Sequence, residues 1–281
     1  MKYISVIAYW INSDVRFFTS LQHKVISRLR DNLEALYPKT KEQRKDYNVN
    51  EFYWPRLLIF LVRTYIITAV AIVFEPLCTS VFNVHMVSSN MATDLWLVCF
   101  QMQICMHFNY IAKSLQNYKP HRNHDKEDRE FLARLVDKHN VLIDLQREIN
   151  RIFGGSMLLS LLNSAVVLCF VSLYVEVQGL NMDGVSMLMF TCTSTLQLYL
   201  VCYYGQLVST LSEDLMHAAY CHSWQDASIS YKKFIIIIIR RTQEALELSA
   251  MGYLPVSHET FRRLMTIALR VFVCIREMIQ T

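Results

Sequence analysis

LLIFLVRTYIITAVAIVFEPLCTSVF, residues 57–82, is apolar along its whole length apart from Arg63 near its start and Glu75 with Pro76 near its end. At about 1.5 Å per residue, a helix of this length crosses the roughly 30 Å of bilayer hydrocarbon. Working outward, residues 95–115 (LWLVCFQMQICMHFNYIAKSL), 152–175 and 185–211 pass the same test, the first of them carrying Gln101, Gln103, His107 and Asn109. A fifth stretch, 260–279, is weaker because it holds four arginines. Residues 1–11, MKYISVIAYWI, are apolar but too short to span, and without a basic n-region and cleavage site they read as the tail of an absent helix rather than a signal peptide. The predicted fold class is all-α: a polytopic helical membrane protein forming one domain over residues 1–281.

Composition agrees. Of 281 residues, 53% are hydrophobic and 19% charged, where a soluble domain carries about 25% charged residues. Six glycines and five prolines are too few for a turn-rich all-β chain or a Gly-rich phosphate binder. A net charge of +4 gives no argument for nucleic acid. The eight cysteines, at 78, 99, 105, 169, 192, 202, 221 and 274, form no CxxC pair and read as reduced, mostly buried thiols.

Orientation follows from the basic residues. Segments 16–56 and 113–151 hold nine Lys or Arg each, while the connections 83–94 and 176–184 hold none, so the basic segments, with Lys232, Lys233, Arg240 and Arg241, are expected in the cytoplasm and the two short connections outside. Residues 126–153 place Phe131, Leu135, Val141, Leu142, Leu145 and Ile149 at helical spacing, predicting a cytoplasmic helix that runs straight into the next span at Gly154 and Gly155. A second cytoplasmic helix is expected over about 228–248. Its five isoleucines, 235–239, are bracketed by basic pairs and suit a helix buried in a protein bundle near the membrane surface.

Chemistry is sparse. No GxxxxGK[ST], GxGxxG, HExxH or GxSxG occurs, so no enzyme and no cofactor is predicted. His217 and His222, near Cys221 and Asp226, are the nearest approach to a metal or catalytic cluster, but their spacing of five fits neither one helix face nor a zinc finger.

The C-terminal third carries a pattern. CYYGQLVSTLSEDLMHAAYCHSW (202–224) and RRTQEALELSAMGYLPVSHETFRRLM (240–265) resemble the end of the sixth and the whole seventh helical region of insect odorant receptors, with Cys202, Tyr203, Gly205, Gln206, Ala219, Tyr220, Trp224, Gln243, Ser257 and Phe261 in the family's order. LLSLLNSAVVLCF (158–170) resembles the fifth helix. The resemblance implies a seven-helix, inverted-topology receptor at the plasma membrane of an olfactory neuron dendrite, assembling as a hetero-tetramer with a co-receptor into an odorant-gated cation channel. A volatile small molecule and membrane lipid are the implied ligand and surroundings. A gustatory receptor of the same superfamily or a truncated fragment is the alternative. Three departures stand out: five spans where the family has seven, a short outer connection at 83–94, and Arg263, Arg270 and Arg276 in or beside the implied pore helix.

Within that frame, Phe74, the face formed by Trp96, Phe100 and Gln103, and the face formed by Met189, Thr193 and Gln197 are expected to line the ligand pocket in the outer half of the helices. Phe234, Ile237, Arg240 and Gln243 are expected in the cytoplasmic anchor that joins subunits. By resemblance the gate falls near Cys274 and Met278, and helical spacing puts Arg270, Cys274, Glu277 and Met278 on one face.

Overall fold

The computed structural model describes residues 23–36, 38, 41–47, 63, 77–120, 125–179, 181–225 and 227–280. Two short helices, α1 (His23–Leu36) and α2 (Lys41–Asp46), come first. Three long ones follow: α3 (Leu77–Asn117), α4 (Asp125–Gln178) and α5 (Met182–Cys221). After α6 (Ile229–Thr242) the chain makes a hairpin of β1 (Ser249–Ala250) and β2 (Leu254–Pro255), then enters α7 (His258–Gln280).

The expected span 57–82 lies outside the described residues except for Arg63 and its last six positions. Those six open α3, which continues unbroken through 83–94, so the expected outer connection there is helical instead. Pro76 stands directly ahead of Leu77, where its fixed φ and missing N–H suit a helix start, and no Gly or Pro interrupts residues 77–117. At 41 residues α3 is about 60 Å long, and at 54 residues α4 is about 80 Å long. As expected, α4 passes through Gly154 and Gly155 without a break. Both α4 and α5 are long and apolar enough to cross a bilayer.

The core lies where α3 packs along α5, with α4 and α7 beside them. Leu97, Phe100, Ile104, Phe108 and Leu115 of α3 are buried, as are Leu132, Leu142 and Phe153 of α4 and Cys202, Val208 and Leu215 of α5. The buried positions repeat at three and four residues, the spacing that keeps one helix face inward. Helix α7 runs parallel to α4: Cys169 Sγ donates to the Ala268 carbonyl oxygen at 3.2 Å, and a turn or two further along both helices Arg276 pairs with Glu176 at 3.0 Å. Parallel running is what two segments crossing in the same direction require.

The expected helix over 228–248 ends early, at Thr242. Ser228 caps its start, accepting from the Tyr231 N–H, and at its end the Thr242 hydroxyl donates back to the carbonyls of Ile238 and Ile239. Beyond Thr242, bonds to other helices replace helical ones. Leu246 N–H donates to Ser212 Oγ at 3.2 Å, and the Asn150 side chain donates to the Glu247 carbonyl and accepts from the Ser249 N–H.

Candidate functional site

On the outer part of α3, Trp96 is exposed whereas Phe100 is fully buried, its ring 5.8 Å from Trp96 and 6.2 Å from Phe153 of α4. Gln103 is half-buried, with its Oε1 enclosed and unpartnered. The α5 set shows the same gradient: Met189 is exposed, Thr193 and Gln197 buried. Thr193 Oγ1 donates to the Met189 carbonyl at 2.9 Å. Each trio therefore descends one helix from an open end into the bundle. Among the described residues, no hydrogen bond or ring contact joins one trio to the other. Phe74 lies outside the described residues.

Of the polar residues in this segment, sequence reasoning gave a role to Gln103 alone, and Gln101 is the one to add. It is only 1% exposed, and neither its Oε1 nor its Nε2 has a hydrogen-bond partner. An unpaired buried amide costs on the order of 1–3 kcal/mol, so α3 carries polar groups that its own bundle does not satisfy.

At the other end of the bundle, α6 is two-faced. Tyr231, Ile235, Ile238 and Thr242 are buried, while Ile236 and Ile237 are each 62% exposed. Within one chain the isoleucine run is thus not buried all round, as the sequence suggested; half of it stands open. Phe234 is at the margin, with the Arg129 guanidinium 5.9 Å from its ring, and Arg240 and Gln243 are exposed. The buried edge is sealed by His222 Nε2 against Tyr231 Oη at 2.7 Å; burial holds the His222 imidazole below its ordinary pKa and pushes the Tyr231 phenol up. Nearby, His139 is lowered to about 4, mostly by burial and partly by the charge of Arg241. The Tyr118 phenol is pushed up to about 12 by burial and by its 2.5 Å hydrogen bond to Asp128. His217 is exposed and apart from His222, and among the described residues no group of three His, Cys, Asp or Glu side chains gathers as a metal site.

Between α6 and α7 the hairpin is gripped on two sides. A Cβ on Gly205 of α5 would collide with the Val256 carbonyl oxygen, and one on Gly154 of α4 would lie 2.9 Å from the Met251 amide nitrogen. Met251 and Gly252, at the tip, have φ of 55° and 75°, the left-handed pair that a tight hairpin turn demands. No apolar periodicity announces this element. Its only signal was Gly252 and Pro255 close together in a chain poor in both.

Helix α7 turns a single stripe inward. Phe261, Leu264 and Ala268 sit against the bundle, and Thr260 Oγ1 donates to the Pro255 carbonyl at 2.6 Å. The opposite face, at intervals of three, four and seven, reads Glu259, Arg263, Thr266, Arg270 and Glu277, all exposed. Cys274 lies within this face and Met278 at its edge, both exposed. Glu259 is clasped by Arg262 and Arg263, each at 2.8 Å, and these hydrogen bonds hold its carboxyl below the usual range. An arginine near the bilayer centre costs about 2.5–3.5 kcal/mol on insertion scales unless it meets water or a partner, so the charged positions of this face are costly against lipid alone.

The 7tm Odorant receptor family matches residues 81–269. This chain belongs to that family. The receptor is 40% identical to Odorant receptor 85f of Drosophila melanogaster, across 100% of this chain and 81% of that one, and 28% identical to Odorant receptor 49a of the same fly, across 97% and 79%. The alignment with Odorant receptor 85f extends over 319 positions, more than the 281 residues of this receptor, so that relative carries internal residues absent here. Its fold is that of the insect olfactory receptor OR5 from Machilis hrabei in complex with eugenol: TM-score 0.77 at 12% identity, covering 98% of this chain and 80% of that one. The OR5 structure without eugenol named matches equally, with TM-score 0.77 at 15% identity. The receptor is accordingly a helical, membrane-embedded member of a receptor family and not of an enzyme family.

Proposed function

We propose that this receptor is the odorant-detecting subunit of a ligand-gated, non-selective cation channel, formed as a hetero-tetramer with an olfactory co-receptor in the plasma membrane of a sensory neuron dendrite. The observation that carries this reading is the division of labour in α7, whose inward stripe is apolar while the opposite face sets Glu259, Arg263, Thr266, Arg270 and Glu277 among Ile267, Val273 and Cys274. A helix of this kind needs lipid excluded and water admitted along one side, which a ring of subunits around a conduit supplies. Arg270, Cys274, Glu277 and Met278 then lie at or beside the pore. The open half of α6, with Ile237, Phe234, Arg240 and Gln243, meets neighbouring subunits.

The ligand site in this reading is the descending face of α3 and α5. Trp96, Phe100 and Met189 offer aromatic and thioether surface, Thr193 and Gln197 sit deeper, and the unpartnered amide oxygen of Gln103 is positioned to accept a hydrogen bond from a phenol or alcohol. The likeness to a receptor solved with eugenol, a ligand of that chemical kind, supports this choice. The test is odorant-evoked current from cells co-expressing the receptor and its co-receptor, with Phe100→Leu and Thr193→Ala beside the wild type. Both substitutions are expected to re-rank the odorant panel while leaving surface assembly intact. An unchanged response profile in both would show the pocket to lie elsewhere.

A further inference from the structure

Helix α7 carries four arginines, and three of them are ion-paired, two of these to one carboxylate. Arg262 and Arg263 share Glu259, and Arg276 holds Glu176 of α4. Arg270 is exposed and has no ion pair or hydrogen bond among the described residues. It sits midway along the stretch 260–279, where an uncompensated charge is least compatible with lipid. Two residues from Ala268, whose carbonyl receives the Cys169 thiol, it points about 200° around the helix and away from its own bundle. The same face carries Arg263 and Thr266 on its cytoplasmic side and Glu277 toward the outer end.

Taking α7 as the pore helix, as proposed above, we infer that Arg270 biases the otherwise non-selective conduit against divalent cations, penalising them more than monovalent ones. Coulomb's law for one fixed charge about 6 Å from a passing ion in water gives about a threefold penalty for a single positive charge and about tenfold for a double one. The ratio of calcium to sodium permeability therefore falls about threefold for each copy of this subunit in the ring. Arg276, held by Glu176, and the clasped Arg262 contribute little, because their charges are matched within one turn or by the adjoining helix.

The experiment measures reversal potentials of the full receptor co-expressed with its co-receptor, in sodium and then in calcium solutions, using standing and odorant-evoked current. Reversal potential does not depend on channel number, so a poorly expressed variant is still read. Arg270→Gln is expected to raise the calcium-to-sodium permeability ratio about threefold, Arg270→Lys to leave it near wild type, and Arg276→Gln to leave it unchanged. As a check that does not compare separate variants, Arg270→Cys in a Cys274→Ser background is read before and after a cationic thiol reagent, which is expected to restore the low ratio. An unchanged ratio in Arg270→Gln, or no effect of the reagent, overturns the inference while the channel reading stands. Absence of any current from surface-expressed wild type overturns the channel reading itself.

Discussion

The inner half of α5 and the whole of α7 are helices of similar length with opposite relations to their own chain. From Leu198 to Ala219, α5 is buried at nearly every turn, through Val201, Cys202, Tyr204, Val208, Ser212, Leu215 and Ala218. Helix α7 buries Ala268 and Thr260, half-buries Phe261 and Leu264, and leaves Ile267, Leu269, Val271, Val273 and Met278 exposed. One helix is completed by its own fold and the other waits for something outside it. In a membrane-embedded chain the open apolar positions suit lipid, and it is the charged positions among them that lipid alone does not satisfy.

That contrast breaks most severely at Gly205. A side chain there meets the Val256 backbone, which cannot yield as a flexible side chain would, so Gly205→Val is expected to cost more than about 3 kcal/mol and to remove folded receptor from the cell surface. Quantitative surface labelling checks this, and near-normal levels would mean the hairpin can move aside.

Neighbouring isoleucines sharpen the comparison. Ile238 faces the bundle and Ile237 faces out. Ile238→Asp is expected to lower the thermal stability of the isolated receptor by about 3 kcal/mol or more, since it buries an unpaired carboxylate. Ile237→Asp is expected to leave that stability within about 0.5 kcal/mol and instead to abolish co-precipitation with the co-receptor. Intact co-precipitation would place the subunit interface elsewhere.

The smallest expected effect is a pH dependence confined to the inner region. His139 is depressed to about 4 in the fold, against about 6.5 unfolded, so the folded state favours the neutral ring. Its contribution is fully present above pH 6.5 and is lost as pH falls toward 4, at on the order of 1 kcal/mol per unit. Thermal unfolding of purified receptor between pH 7.5 and 5 is expected to show this slope, and His139→Gln to reduce it, the depressed His222 supplying part of what remains.

Much of this architecture was legible from apolar run length and basic-residue placement, because lipid imposes both. The unbroken run of α4 through Gly154 and Gly155 follows from periodicity alone. What periodicity could not show is where a helix stops for tertiary reasons: α6 ends at Thr242 because Ser212 and Asn150 supply hydrogen bonds from other helices. The unbroken α3 was misread at 83–94 because a polar, uncharged segment resembles a connection unless the missing Gly and Pro are weighed more heavily. Among the expected site residues, spacing correctly grouped Phe100 with Trp96 but could not foresee that Gln101, on another face, would be enclosed without a partner.

The hairpin between α6 and α7 has one more implication. Surface loops ordinarily tolerate added residues, because their backbone bonds to water and their neighbours can shift. Here Asn150 fixes the chain at Glu247 and Ser249, Gly154 and Gly205 admit the backbone only in its present register, and Val256 N–H returns to the Leu248 carbonyl at 2.8 Å. An extra residue would dislodge one grip or the other, so the chain length from Thr242 to His258 is fixed by packing and leaves the slack to other connections.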